Sequence, residues 1–123
     1  MAAGDVTGFW YECTGRARAG GAPFGANDRG YLFGCQVQLD GDNPTTVNVA
    51  GLSGEIRRVL GATVALAGSS APGLDPLSVS AIANAGALEV YAWKPTAQGD
   101  ATLIASEDAT RVVEVFGWGT DRP

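Results

Sequence analysis

The sequence predicts an all-β protein, an antiparallel β-sandwich or barrel of about 7–8 short strands with one long Gly-rich loop. Three observations predict it. Apolar residues recur with a period of two in several separate runs. Clusters of Gly, Asp, Asn, Ser and Pro divide those runs, and no segment sustains helical spacing. At 123 residues the chain has the length of a single β domain spanning residues 1–123. Charged residues make up 17% and apolar residues 46%, so the chain can bury a core.

The first strand is expected over Thr7–Cys13, built on Phe9-Trp10-Tyr11. Rings on both faces of one strand fit either a central strand buried on both sides or a strand that gives one face to another subunit. Thr14 to Gly30 follows without apolar periodicity, carrying Gly15, Gly20, Gly21, Gly25, Gly30, Pro23 and the arginines Arg16, Arg18 and Arg29. A connection of that length is usually functional or disordered. Tyr31, Phe33, Cys35, Val37 and Leu39 then alternate with Leu32, Gly34, Gln36 and Gln38 as in a half-buried strand. Asp40-Gly41-Asp42-Asn43-Pro44 supplies turn chemistry, and Thr45 to Ala50 alternates again, which predicts a hairpin.

Glu55 to Leu66 can be read as a helix, on Ile56, Val59, Leu60, Thr63 and Val64, or as a strand over Val59–Leu66. Gly61 and the β-rich surroundings favour the strand. Pro72 to Pro76 breaks the chain before a strand at Leu77–Ala83. Leu88, Val90 and Ala92 alternate with Glu89, Tyr91 and Trp93 until Pro95, and Thr102–Ala105 forms a short strand. In the last strand, Thr110–Trp118, Val113 and Val115 face opposite to Val112, Glu114, Phe116 and Trp118. The same-face pairs Tyr91/Trp93 and Phe116/Trp118 are expected to share an aromatic layer of the core. Phe33, Val37, Val90 and Val115 are expected to be buried.

Composition excludes much chemistry. Histidine is absent, so no Ser-His-Asp triad, Cys-His pair or His-ligated zinc can form within the chain. A net charge of −5 with a lone lysine argues against nucleic acid as a partner. The start lacks a basic stretch followed by an apolar one, so manufacture in the cytoplasm is expected. The charge-free run Val59–Leu74 is broken by glycines and Pro72 and falls short of the roughly 20 apolar residues a span requires, so no membrane contact is expected.

Cys13 and Cys35 have no metal-ligand spacing. They read as two small buried thiols, with a disulfide between neighbouring strands as the alternative; a reducing compartment predicts thiols. Gly20 to Gly25 lacks the lysine of a phosphate loop, and Gly51-Leu52-Ser53-Gly54 misses the spacing of a nucleophile elbow. Asp40, Asp42 and Asn43 lack the terminal glutamate of a calcium loop. The 13 acidic residues offer no pair that stands out for glycoside cleavage. No catalytic residue, metal ligand or cofactor is therefore expected.

Several stretches together resemble a group of small virion proteins of tailed phages. They are the opening Met-Ala-Ala-Gly-Asp-Val-Thr, the strand closed by Asp-Gly-Asp-Asn-Pro-Thr-Thr-Val, the run Glu89 to Thr96, and Asp100 to Ser106 with the β-rich end. The resemblance implies a short β-sandwich without enzymatic activity that decorates or cements the outside of the head. Its partners would be the major capsid protein, further copies of itself, or both, and it would reside in the virion. A tail or neck component, or a carbohydrate- or protein-binding module using Trp10, Trp93 or Trp118, is the alternative. The Thr14–Gly30 loop lies outside the resemblance. It is expected to order against a neighbour through Arg16, Arg18, Phe24 and Arg29, because arginine pairs bidentately with carboxylates and a lone phenylalanine can fill a pocket.

Overall fold

A computed structural model describes residues 1–16, 29–68 and 75–123. Among these residues it is all-β, with eight strands in two antiparallel sheets. The larger sheet has the order β1-β2-β8-β4, from β1 (Val6–Arg16), β2 (Arg29–Gln38), β8 (Val112–Thr120) and β4 (Arg58–Leu66). The smaller has the order β3-β6-β5, from β3 (Thr45–Val47), β6 (Ala87–Pro95) and β5 (Ser78–Asn84), with β7 (Leu103–Ala105) also paired to β6. Val59 to Leu66 lies within strand β4, as the β-rich context favoured, while Glu55 to Arg57 leads into it outside any strand.

The two inner faces meet in one core. Phe33, Val37, Val113 and Val115 come from the larger sheet, and Val47, Leu88 and Val90 from the smaller. All four residues expected in the core are buried, with Phe33, Val37 and Val90 fully so. Each such side chain contributes about 1.5–3 kcal/mol by leaving water. Val49 and Ile56 close one end, both fully buried.

Three expectations about the elements and their connections change. The hairpin of β2 with β3 does not form: β2 pairs with β1 on one edge and β8 on the other, leaving no edge for β3, which pairs with β6. Asp40 to Pro44 instead carries the chain between sheets. Asp40 Oδ1 accepts from the Asp42 amide and the buried Thr45 hydroxyl, both at 2.9 Å, and Asn43 Oδ1 accepts from the Ala92 amide at 2.8 Å. Side-chain oxygens of Asp40 and Asn43, two of the three residues weighed as a calcium loop, are thus engaged in shaping the crossover and holding it onto β6.

The second change is at Thr45–Ala50, where the strand stops at Val47 and a one-turn helix, α1 (Val49–Ser53), follows. Asn48 accepts from the Gly51 amide as N-cap, and Gly54 ends the turn at φ 73°. The third is the long loop. Pairing of β1 with β2 continues through Gly15↔Gly30 and Arg16↔Arg29, so both ends of the expected loop are strand. Glycine lacks a side chain to pack, but its backbone still makes ladder hydrogen bonds.

Candidate interaction surface

Strand parity decides which side chains the protein displays. On β8, Val113 and Val115 point inward, followed on the same face by Gly117 and Gly119. A Cβ at Gly117 would collide with the ring of Phe33, and one at Gly119 would lie 2.7 Å from Cγ2 of Ile56. The inner positions at this end of β8 are therefore glycine. The large residues that alternate with them, Phe116 and Trp118, point outward and remain 45% and 40% exposed. The expectation that they belong to the core is thereby overturned.

Trp10 joins them from β1, 44% exposed, with its ring centroid 6.0 Å from that of Phe116 and the planes tilted by 50°. Two outward glycines seat the indoles: Trp10 lies over Gly34 and Trp118 over Gly61. Leu32, opposite Trp118 in the ladder, fills in between. The outer face of the larger sheet is thus apolar and aromatic at one end. Towards the other end a groove of about 550 Å³ is lined by Thr7, Trp10, Gln36, Thr63, Glu114 and Phe116, among others. The Gln36 amide donates to Glu114 Oε1 across β2 and β8.

The smaller sheet displays a second set. Leu88, Val90 and Ala92 of β6 are buried, while Tyr91 and Trp93 face outward with centroids 6.0 Å apart and planes within 10° of parallel. This too departs from the expected core layer. Their polar ends are engaged: Tyr91 Oη donates to Glu89 Oε2 at 3.0 Å and Trp93 Nε1 to Ser80 Oγ at 3.0 Å. Asn84 completes the row by donating to Glu89 Oε1 at 2.8 Å. The hydrogen bond to Glu89 raises the Tyr91 pKa above its ordinary value.

No family model matches the chain, and no curated protein or solved structure matches it either. What the surface can do must come from its own chemistry.

The residues expected to bind a partner are not brought into view as a group. Arg18 and Phe24 lie outside the described residues. Arg16 ends β1, in register with Arg29 at the start of β2. Arg29 has partners within the chain, since its amide donates to Asp121 Oδ1 at 3.0 Å and its side chain hydrogen-bonds Tyr31. Among the described residues no three His, Cys, Asp or Glu side chains converge as metal ligands, and no helix is long and apolar enough to cross a membrane. Trp10 and Trp118 of this face are residues of the alternative binding module, whereas Phe116 was expected in the core; the signal for the whole group is the alternation of small residues with rings at Phe116-Gly117-Trp118-Gly119.

Proposed function

We propose that the protein is a non-enzymatic structural subunit that attaches to the protein shell of a tailed-phage head as a decoration protein. The observation that carries this is the outward aromatic group Trp10, Phe116 and Trp118 on the larger sheet. An antiparallel sheet that keeps one face towards water ordinarily places polar residues there. Exposed aromatic clusters mark protein-binding surfaces, and Trp is foremost among residues that dominate interface energetics. Glycine seats under both indoles leave the rings close to the sheet, so little conformational freedom remains to be lost on docking. A histidine-free chain whose acidic groups single out no catalytic pair supports the non-enzymatic part of the reading. The resemblance of Glu89–Thr96 and the Asp40–Pro44 crossover to small virion proteins supports the head as the place.

The test is attachment to purified heads that lack the native protein. Wild-type chain should co-sediment, and Phe116→Ser with Trp118→Ser should weaken attachment by at least about tenfold, since a hot-spot aromatic is worth about 2 kcal/mol or more. Failure of the wild type to attach, or equal attachment of the folded double variant, overturns the reading. Antibody labelling in electron microscopy separates head from tail or neck.

A second reading rests on the parallel rings of Tyr91 and Trp93, an arrangement on which a sugar ring can stack. Glycan-array binding that disappears in Trp93→Ala would favour a carbohydrate-binding module instead.

A further inference from the structure

The strand β1 ends the larger sheet, and among the described residues no backbone group lies hydrogen-bonded along its outer edge. It is 11 residues long, which at roughly 3.3 Å per residue leaves about 36 Å of open ladder. Natural edges are protected by lysine, proline, short length, inward charges or bulges, and the bulges of β1 leave its central run Trp10–Cys13 regular. From Val6 to Gly15 there is neither lysine nor proline, and Glu12 is the lone charge. The strand is apolar on both faces. Phe9 and Tyr11 lie on the core side, with ring centroids 6.2 Å from Phe33 and Tyr31 respectively, and Trp10 lies on the outer side. Yet Tyr11 stays 37% exposed, because the larger sheet is four strands wide and the smaller runs β3-β6-β5.

We propose that β1 adds to β1 of a second copy of this chain, antiparallel about a two-fold axis, with Tyr11 opposite the partner subunit's Tyr11. The resulting sheet would be continuous across both subunits. Self-complementarity selects a copy rather than a foreign strand, and it selects the register. Tyr11 is the midpoint of Val6–Arg16, so this register alone overlaps the whole strand with its copy. It also sets Glu12 opposite the partner subunit's Trp10. A shift by one residue at each strand's centre places Glu12 against the partner subunit's Glu12, a like-charge pair, and a shift of odd count puts core-side rings against outer ones. Bulges at Gly8–Phe9 and at Thr14 bracket Tyr11, leaving the regular run in the middle of the pairing. The proposal rests on the strand edge and is independent of attachment to a phage head.

The test uses the full chain without particles. Light scattering and native mass spectrometry should give twice the 12.5 kDa mass at micromolar concentration. In a Cys13→Ser background, Tyr11→Cys should cross-link to a covalent dimer on oxidation with diamide, since directly opposed Cβ atoms are about 4.5–5.5 Å apart. Trp10→Cys in the same background should cross-link at least about tenfold more slowly, because its copy lies on the diagonal at about 7–8 Å. Tyr11→Lys, checked for folding by circular dichroism, should be monomeric. A wild-type monomer at these concentrations overturns the proposal, as does cross-linking of Trp10→Cys at a rate equal to or above that of Tyr11→Cys. If Tyr11→Lys fails to fold, the two cross-linking rates still decide.

Discussion

The indole of Trp10 lies directly over Gly34: a Cβ built there would meet its Nε1, Cε2 and Cζ2 at 2.6–2.8 Å. The φ of Gly34 is not positive, so the requirement for glycine comes from the ring above and not from the backbone. Gly34→Ala should therefore displace Trp10 and cost about 1–3 kcal/mol, with a red shift of tryptophan emission. In a Trp10→Ala background the same change should cost less than about 0.5 kcal/mol. Denaturant melts of the four proteins measure the coupling.

Phe33 is fully buried, stacked on Phe9 at 6.2 Å and packed over Gly117, its ladder partner on β8. Phe33→Ala should destabilise the fold by about 3–5 kcal/mol. A shift of the denaturant midpoint with an unchanged slope would report this as loss of stability.

The two thiols should differ in reactivity. Both are free; Cys13 is exposed, whereas burial first and the nearby Glu114 second push Cys35 up to about 11. Cys13 pairs with Tyr31, four residues from Cys35 along β2, a distance of roughly 13 Å that exceeds the reach of a disulfide. Iodoacetamide at pH 8 should add one group to the native protein and two after unfolding. Intact mass reads the count, and two rapid additions to the native chain would contradict the burial of Cys35.

Asp108 ties down the turn before β8. Burial works to raise its pKa, but the amides of Arg111 at 2.7 Å and Thr110 at 2.8 Å outweigh burial and hold its carboxyl below the usual carboxylate range. A lowered folded-state pKa means stability that is fully present above the unfolded value near 3.8 and is lost as pH falls through the folded value. Asp108→Ala should lower stability at pH 7 by about 1 kcal/mol, with wild type and variant converging in stronger acid. Urea melts from pH 7 down to pH 2 follow the difference.

Parity was legible where a strand alternates cleanly. Val113 and Val115 against Phe116 and Trp118 could be assigned to opposite faces before any fold was known. Which face is the core could not be read from the rings themselves, because large apolar side chains are the usual filling of a core. The decision lies in the glycines: Gly117 and Gly119 leave room for Phe33 and Ile56, residues remote in the chain. The Asp40–Pro44 segment shows the same limit. Its turn chemistry is local and was apparent, but whether a turn closes a hairpin depends on whether β2 still has a free edge, and β1 and β8 take both.

Residue order by itself determined the all-β class, the strand positions to within a few residues and the inward set Phe33, Val37, Val90 and Val115. Period-two patterning and turn residues act locally, so neighbouring residues suffice to specify them. Only the tertiary structure decided which strands share a sheet, that Asp40–Pro44 passes between sheets, and that Trp10, Phe116 and Trp118 face water. Those outcomes rest on hydrogen-bonding edges and packing volumes supplied by residues far apart in the chain, as in the pairing of Gly30 with Thr120.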